Sequence, residues 1–348
     1  MPIHERTLEG TRRVMLEKLR GVIPEAEIRI KAELVFEINR LKEERNAVIL
    51  GHNYMEPALF QTVPDIVGDS LQLSREAART ERDVIVFCGV RFMAETAKIL
   101  NPSRTVLLPA RKGGCSLAAS ITAEDVRELR RQYPGVPIVT YINTYAEVKA
   151  EVDVCCTSGN AVKVVQSLPG DTVIFLPDEY LGKNVARETG KTVLIPQPGR
   201  KLDLPTDRPV LIGWRGRCEV HERFTVEDIT NVRAQFPGVV VVAHPECSPE
   251  VVAASDYSGS TTAMVDYVKQ TEAPSFLLPT ECSMGDNIIA ENPSKEMVRM
   301  CSIRCPHMNE ITLEDTLESL RLNQYEIDVP EDIRIRAKRS LDRMLAIH

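Results

Sequence analysis

Three cysteines in this chain are each followed, at one fixed spacing, by an apolar residue, a threonine and an acidic pair. The sets are Cys115 with Ile121, Thr122, Glu124 and Asp125; Cys218 with Phe224, Thr225, Glu227 and Asp228; and Cys305 with Ile311, Thr312, Glu314 and Asp315. A threonine followed by acids in the next turn is a helix N-cap pattern, so each thiol is predicted on the loop just before a helix N-terminus. One thiol per repeat predicts one ligand per domain.

A second set of residues falls at the ends of apolar runs. Gly51-His52-Asn53-Tyr54 follows Ala47 to Leu50, Tyr141-Ile142-Asn143-Thr144 closes another run, and His244-Pro245-Glu246-Cys247 follows Val239 to Ala243. Each is succeeded by a hydroxyl-bearing turn: Asp69-Ser70, Thr157-Ser158 and Ser260-Thr261. Small polar residues that open a helix suit carboxylate or phosphate, through hydroxyls, backbone N–H groups and the helix dipole. Three such turns predict an anionic ligand with several charged ends.

The elements that must position these residues repeat. Cys115 and Cys218 lie 103 positions apart, and that offset holds without a gap to Asn184 and Asn287. Along it Tyr133-Pro134-Gly135-Val136 matches Phe236-Pro237-Gly238-Val239, Tyr141 falls on His244, Asn143 on Glu246, Asp153 on Asp256 and Ser158 on Thr261. A weaker third copy begins at Ala47. Period-scale similarity sets architecture, and units of this length read as small domains rather than solenoid repeats. Strand runs are predicted at 47–50, 84–87, 105–108, 138–142, 173–176, 192–195, 210–212, 239–243 and 276–278. Most are continuously apolar, as parallel strands covered on both faces require, with helices between them. Ile30, Leu34, Ile38 and Leu41 predict a packed helical face over 25–45, and Ile333, Ala337, Leu341 and Met344 another after Pro330. The fold class is therefore α/β, with three pseudo-symmetric small parallel-sheet αβα domains. The divisions are 1–111 (a helical extension plus the first domain), 112–214, 215–304, and 305–348, a cysteine loop and helices expected to pack on the first domain. Ligand chemistry is expected at the carboxyl ends of the strands.

Composition excludes several classes. The 348 residues are 43% hydrophobic and 27% charged, with a net charge of −7 that argues against a nucleic-acid binder. Residues 1–13 are polar and charged, without an apolar stretch suited to a signal peptide, and the run Val239 to Ala243 is far too short to span a bilayer. A cytoplasmic protein without membrane or nucleic-acid partners is expected. In a reducing cytosol the nine cysteines would be unpaired: core residues, reactive thiols or metal ligands.

Taken together, Gly51-His52-Asn53-Tyr54, Gly68-Asp69-Ser70-Leu71, Phe92-Met93-Ala94-Glu95-Thr96-Ala97-Lys98, Gly114-Cys115-Ser116-Leu117, Cys156-Thr157-Ser158, Cys218-Glu219-Val220-His221, His244-Pro245-Glu246-Cys247 and Gly259-Ser260-Thr261 resemble the quinolinate synthase family. The resemblance implies three pseudo-equivalent domains around a central [4Fe–4S] cluster held by Cys115, Cys218 and Cys305. It implies a transferase of pyridine nucleotide (NAD) biosynthesis that condenses iminoaspartate with dihydroxyacetone phosphate. An aspartate-oxidising enzyme would supply the iminoaspartate. Carried over by position, His52, Ser70, Tyr141, Asn143, Ser158, His221, His244, Glu246, Ser260 and Thr261 match substrate-binding residues. Tyr54 and Glu246 match an acid–base pair, with His52 beside them. The residue types agree with a cluster independently: such clusters are usually held by four thiolates, so three leave one iron open to a Lewis-acid role.

Other readings of the same residues stay open. Cys88, Cys155, Cys156, Cys247 and Cys282 read as small core residues. Some family members carry Cys-x-x-Cys-x-x-Cys at the last cysteine, whereas here Cys301 and Cys305 are separated by three residues, so a redox pairing is a minor alternative. Another cluster-dependent hydro-lyase, an iron–sulfur sensor and a zinc-binding structural protein are alternative functions, and no basic recognition helix accompanies the cysteines.

Overall fold

A computed structural model describes residues 2–197, 201–300 and 303–347. Its strands form three parallel sheets. The first has the order β2-β1-β3-β4, with β1 Ala47–His52, β2 Ile66–Gly68, β3 Val84–Cys88 and β4 Thr105–Leu107. The second has the order β6-β5-β7-β9-β8, from β5 Ile138–Tyr141, β6 Val154–Cys156, β7 Thr172–Leu176, β8 Thr192–Leu194 and β9 Val210–Ile212. The third has the order β11-β10-β12-β13, from β10 Val240–Ala243, β11 Tyr257–Ser258, β12 Ser275–Leu277 and β13 Glu296–Val298. In each, the chain steps to one side of the first strand and then crosses to the other. That reversal opens a crevice at the carboxyl end of β1, β5 and β10, where His52, Tyr141 and His244 sit.

Sheet two explains the irregular spacing of the repeat. Strand β9 pairs with β7 as β4 pairs with β3 and β13 with β12, so β8 is an added edge strand. Its connections lie after Asn184, where the constant register ends. The expected strands are all present, but β2, β6, β11 and β13 were not anticipated. Each has two or three residues, too few to show a period.

One device is repeated three times where these strands begin. The N–H of Ile49, of Ile138 and of Val241 donates to the carboxylate of Asp65, Asp153 and Asp256 respectively, each at 2.8 Å. The N–H of each aspartate donates back to the same strand residue, at 2.8, 3.0 and 2.9 Å. Each carboxylate also meets a cation: Lys42 at 2.8 Å, Arg130 at 3.2 Å and Arg233 at 2.8 Å. The aspartate thus pins the neighbouring edge strand to the central one and satisfies a buried backbone donor.

The helical extension and the tail bind the domains together. Helix Glu25–Glu44 packs beside the first sheet, but its buried stripe is Ile28, Ala32, Val35 and Ile38, while Ile30 is 72% exposed. The apolar spacing that included Ile30 was offset because Lys42 shares the buried face, drawn there by Asp65. The tail divides. Helix Leu313–Leu322 lies on Glu25–Glu44 and β3, and Tyr325 to Ile327 then runs antiparallel to the end of β4, with N–H bonds of 2.9, 3.1 and 2.8 Å. Helix Glu331–Ala346 lies across the boundary between the first two domains. It packs on helix Arg91–Leu100 of the first and also covers the edge strand β6 and helix Ala146–Lys149 of the second, burying Ala337, Ser340, Leu341 and Met344. The reason is local: β6 is a sheet edge that needs a cover, and Ser340 donates to Lys149 O at 2.8 Å. Among the described residues no helix is long and apolar enough to cross a membrane.

The three aspartates differ in one respect that a stability measurement reads. The Lys42 side chain is 1% exposed, against 43% for Arg130 and 40% for Arg233. Removing Asp65 leaves a buried ammonium with Val63 O, so Asp65→Ala should cost about 3–5 kcal/mol in urea unfolding. Asp153→Ala and Asp256→Ala should each cost about 1–2 kcal/mol, and Lys42→Met should recover part of the Asp65→Ala loss. Equal losses at all three positions would contradict the assignment of the difference to the buried cation.

Candidate active site and metal centre

The three cysteines are built into one recurring turn. Cys115 opens the short helix Ser116–Ala119, Cys218 precedes the single turn His221–Arg223, and Cys305 precedes Met308–Glu310. Only then come the helices capped by Thr122, Thr225 and Thr312, whose hydroxyls accept from the N–H of Asp125, Asp228 and Asp315. The predicted caps are present, but an extra turn separates each cysteine from its capped helix. Each sulfur accepts N–H bonds from the second and third residues after it: Leu117 and Ala118, Val220 and His221, His307 and Met308. Burial pushes the Cys115 thiol up to about 12, Cys218 well above its ordinary value and Cys305 to about 11, while the paired N–H groups pull the other way. These half-buried thiols, raised in this way, keep their protons until a metal displaces them, and the N–H pairs favour the thiolate that results.

All three cysteines line a single cavity, together with His52, Tyr54, Ser70, Tyr141, Asn143, Ser158, His221, His244, Glu246 and Thr261. The fit to a metal group rests on this donor set: three thiols, one from each repeat, each in the same N–H cradle. A tighter grouping overlaps it, since donor atoms of Cys218, His221 and Glu246 lie within 4.8 Å of one another. Glu246 is already engaged there by protein donors, which favours the thiols as the primary ligands.

Two histidines at equivalent strand ends are held alike. The Tyr54 N–H donates to His52 Nδ1 at 3.2 Å, and the Glu246 N–H donates to His244 Nδ1 at 3.4 Å. Each ring therefore carries its proton on Nε2 and presents a neutral donor. Burial lowers His52 to about 4 and His244 to about 3, so both stay neutral near pH 7. The His244 Nε2 faces Ser158 Oγ at 3.2 Å, and its ring stacks on His221 with centroids 4.8 Å apart.

Glu246 collects donors from the neighbouring domain. Tyr141 Oη–H donates to Oε1 at 2.5 Å and Asn143 Nδ2 at 3.4 Å, while His221 Nδ1 lies 2.7 Å from Oε2. Burial would raise this carboxyl, but the His221 ring and the Tyr141 hydroxyl outweigh it and hold Glu246 below the usual carboxylate range. Burial and the Glu246 charge push Tyr141 and Tyr54 well above the ordinary phenol value. An ionised carboxylate and two neutral phenols therefore share one enclosed space, a proton acceptor beside two proton donors.

The hydroxyl turns are not equivalent. Ser70 opens helix Ser70–Arg79 behind Asp69, whose carboxylate accepts from the N–H of Leu71 and Gln72. Ser158 and Thr261 line the cavity, but Ser260 does not. The Ser260 hydroxyl donates to Asp69 at 2.8 Å and caps helix Thr261–Gln270. It ties the third domain to the first rather than facing the cavity, because Asp69, acceptor-only, lies across the domain boundary.

Backbone clamps between domains fix the strand-end loops. Asn184 donates to Pro245 O and Cys247 O at 2.8 and 3.0 Å, and Asn287, its repeat partner, donates to Asn53 O and Met55 O at 3.3 and 2.8 Å. Domain two thus holds the loop of domain three, and domain three the loop of domain one. The loop after Tyr141 is held by Glu95 of domain one, which accepts from the Ala146 N–H at 2.9 Å, and by Lys149 on Thr144 O.

Several site residues lay beyond sequence reasoning. Thr280 meets Tyr54 and His221, yet its repeat partner is Pro177, so the register carried no hydroxyl signal. His307 joins the third cysteine loop to the second through Glu219 at 3.1 Å and crowds Gly114, where a Cβ would stand 3.2 Å from its ring. Cys88, Cys155, Cys156 and Cys247 are buried, Cys282 is half-buried, and Cys301 lies outside the described residues.

The buried histidines give acid sensitivity a definite sign. An unfolded histidine takes up a proton near pH 6.5, whereas folded His244 does so only near 3, so stability falls as pH drops through that interval. Glu281, raised to about 7 by burial, acts in the opposite sense over part of that range, so the comparison is between variants. Wild type should lose about 2 kcal/mol more than His244→Asn between pH 6.5 and 4.5 in urea unfolding. Parallel losses would show that His244 is not held neutral.

Known proteins resemble this chain over nearly its whole length. The family model described as "Quinolinate synthetase A protein" matches residues 36–346. "Quinolinate synthase 2" of Mesorhizobium japonicum is 50% identical over 98% of this chain and 99% of its own length. "Quinolinate synthase" of Agrobacterium fabrum is 51% identical over 96% of this chain and 91% of its own, and that of Xylella fastidiosa 52% over 90% and 86%. Sequence similarity and the arrangement of three parallel sheets agree, and the chain belongs to the quinolinate synthetase A protein family.

Proposed function

We propose that this chain condenses iminoaspartate with dihydroxyacetone phosphate to quinolinate, releasing phosphate and water, in NAD biosynthesis. The observation that carries the reading is the convergence of Cys115, Cys218 and Cys305, each in an N–H cradle, on one cavity that also holds neutral donors and an ionised carboxylate. These thiols would hold a [4Fe–4S] cluster, which when bound supplies a Lewis-acidic iron lacking a protein thiolate. The cavity suits an anion with several charged ends. His52 and His244 offer Nε2–H donors, and Ser70, Ser158 and Thr261 offer hydroxyls.

Proton movements fall to the carboxylate and the phenols. Glu246 is ionised before substrate arrives and can take a proton from a carbon or nitrogen being tautomerised. Tyr54 retains its proton and can donate it to a departing hydroxyl. Tyr141 and Asn143 hold Glu246 in place and would bind substrate oxygen once it displaces them. A cytoplasmic setting and an aspartate-oxidising enzyme as the source of iminoaspartate belong to the same reading, since the imine hydrolyses readily in water.

Protein purified without oxygen should contain about four irons per chain and should form quinolinate, identified by mass, from the two substrates. Cys115→Ser, Cys218→Ser and Cys305→Ser should each lose both iron and product, whereas Cys282→Ser keeps them. Wild-type iron in Cys218→Ser would remove that residue from the ligand set. A different product from an iron-loaded enzyme would point to another hydro-lyase.

A further inference from the structure

We propose that Thr280 is a positioning residue whose hydroxyl sets the orientation of both Tyr54 and His221. This inference rests on the active-site reading above but uses a residue outside the repeat pattern. Thr280 lies on the loop between β12 and helix Cys282–Glu291, where its N–H bonds Leu278 O at 2.8 Å and it is 2% exposed. Its Oγ1 is 2.6 Å from Tyr54 Oη and 2.9 Å from His221 Nε2, whereas Tyr54 and His221 are 3.4 Å apart.

Donor counting makes this hydroxyl decisive. A carboxylate only accepts, so His221 Nδ1, 2.7 Å from Glu246 Oε2, carries a proton, and Nε2 is left to find its partner among the neighbouring hydroxyls. Thr280 Oγ1, at 2.9 Å against 3.4 Å for Tyr54, is the nearer of the two. The same oxygen lies 2.6 Å from Tyr54 Oη, so one hydroxyl bridges both side chains. The Nδ1–H contact is bent, without a well-aligned acceptor, so Glu246 alone does not fix the ring. The resulting order runs Tyr54 to Thr280 to His221 to Glu246, with Tyr141 entering from the opposite side. Groups of all three domains are thereby held in one connected set of contacts.

The hydroxyl can be removed without changing the volume. Thr280→Val should lower kcat about tenfold or more with KM changed less than about threefold, because substrate still binds while Tyr54 and His221 lose their common partner. Thr280→Ser should restore kcat to within about threefold. Iron per chain should be unchanged in both variants. In histidine-labelled holoenzyme, the 15N spectrum should show His221 as the Nδ1–H tautomer in wild type and Thr280→Ser, and a mixture in Thr280→Val. Wild-type kcat and tautomer in Thr280→Val would overturn the proposal, as would failure of Thr280→Ser to restore them. Lost iron in Thr280→Val would also overturn it, by assigning the residue to the cluster loops instead. The tautomer measurement requires no turnover, so it decides the role of Thr280 even if the wild-type product is not quinolinate.

Discussion

A buried carboxylate with no lysine or arginine beside it must be satisfied by other polar side chains, and at Glu246 two of these come from across a domain boundary. Tyr141 and Asn143 belong to the second sheet, Glu246 and His221 to the third. The first sheet joins through Tyr54, which meets Thr280 of the third. A charge buried in this way costs several kcal/mol if its partners are withdrawn, so closure of the three domains and ionisation of Glu246 depend on each other. The clamps from Asn184, Asn287 and Glu95 bear on the same point, because each fixes the backbone from which a site residue projects.

The symmetry of the scaffold and the asymmetry of the site have a common origin. Backbone functions recur: the aspartates at 65, 153 and 256 brace a strand start, and the three cysteines accept N–H bonds from their second and third successors. Positions facing the cavity differ, with His52, Tyr141 and His244 at one level and Tyr54, Asn143 and Glu246 at the next. A repeated fold supplies three equivalent places, and the proposed condensation needs unlike groups in them. Departures from exact repetition serve assembly: β8 widens the second sheet, and the last helix seals β6 while also packing on the first domain.

The aspartate–cation pairs illustrate how the same bond acquires different weight. Lys42 is buried and Arg130 and Arg233 are not, so one brace belongs to the interior and two to the surface. The sequence shows a charged residue in all three cases and cannot show which is enclosed. The same limit misplaced Ile30 on the packed face of its helix: the apolar spacing was compatible with two stripes, and Asp65 selected the one containing Lys42.

By itself the sequence determined the period, the α/β class, the identity of the cysteines and the strand-end residues, because these rest on spacing and on continuous apolar runs that survive without tertiary information. It could not show the two- and three-residue edge strands, the extra turn after each cysteine, or Thr280, whose repeat partner is a proline. Nor could it separate Ser260, which Asp69 draws to the domain boundary, from Ser158 and Thr261, which line the cavity. Tertiary structure alone decided those points. A side chain's role in a shared site depends on which acceptor from another domain reaches it first, and that is a property of packing between distant segments rather than of local spacing.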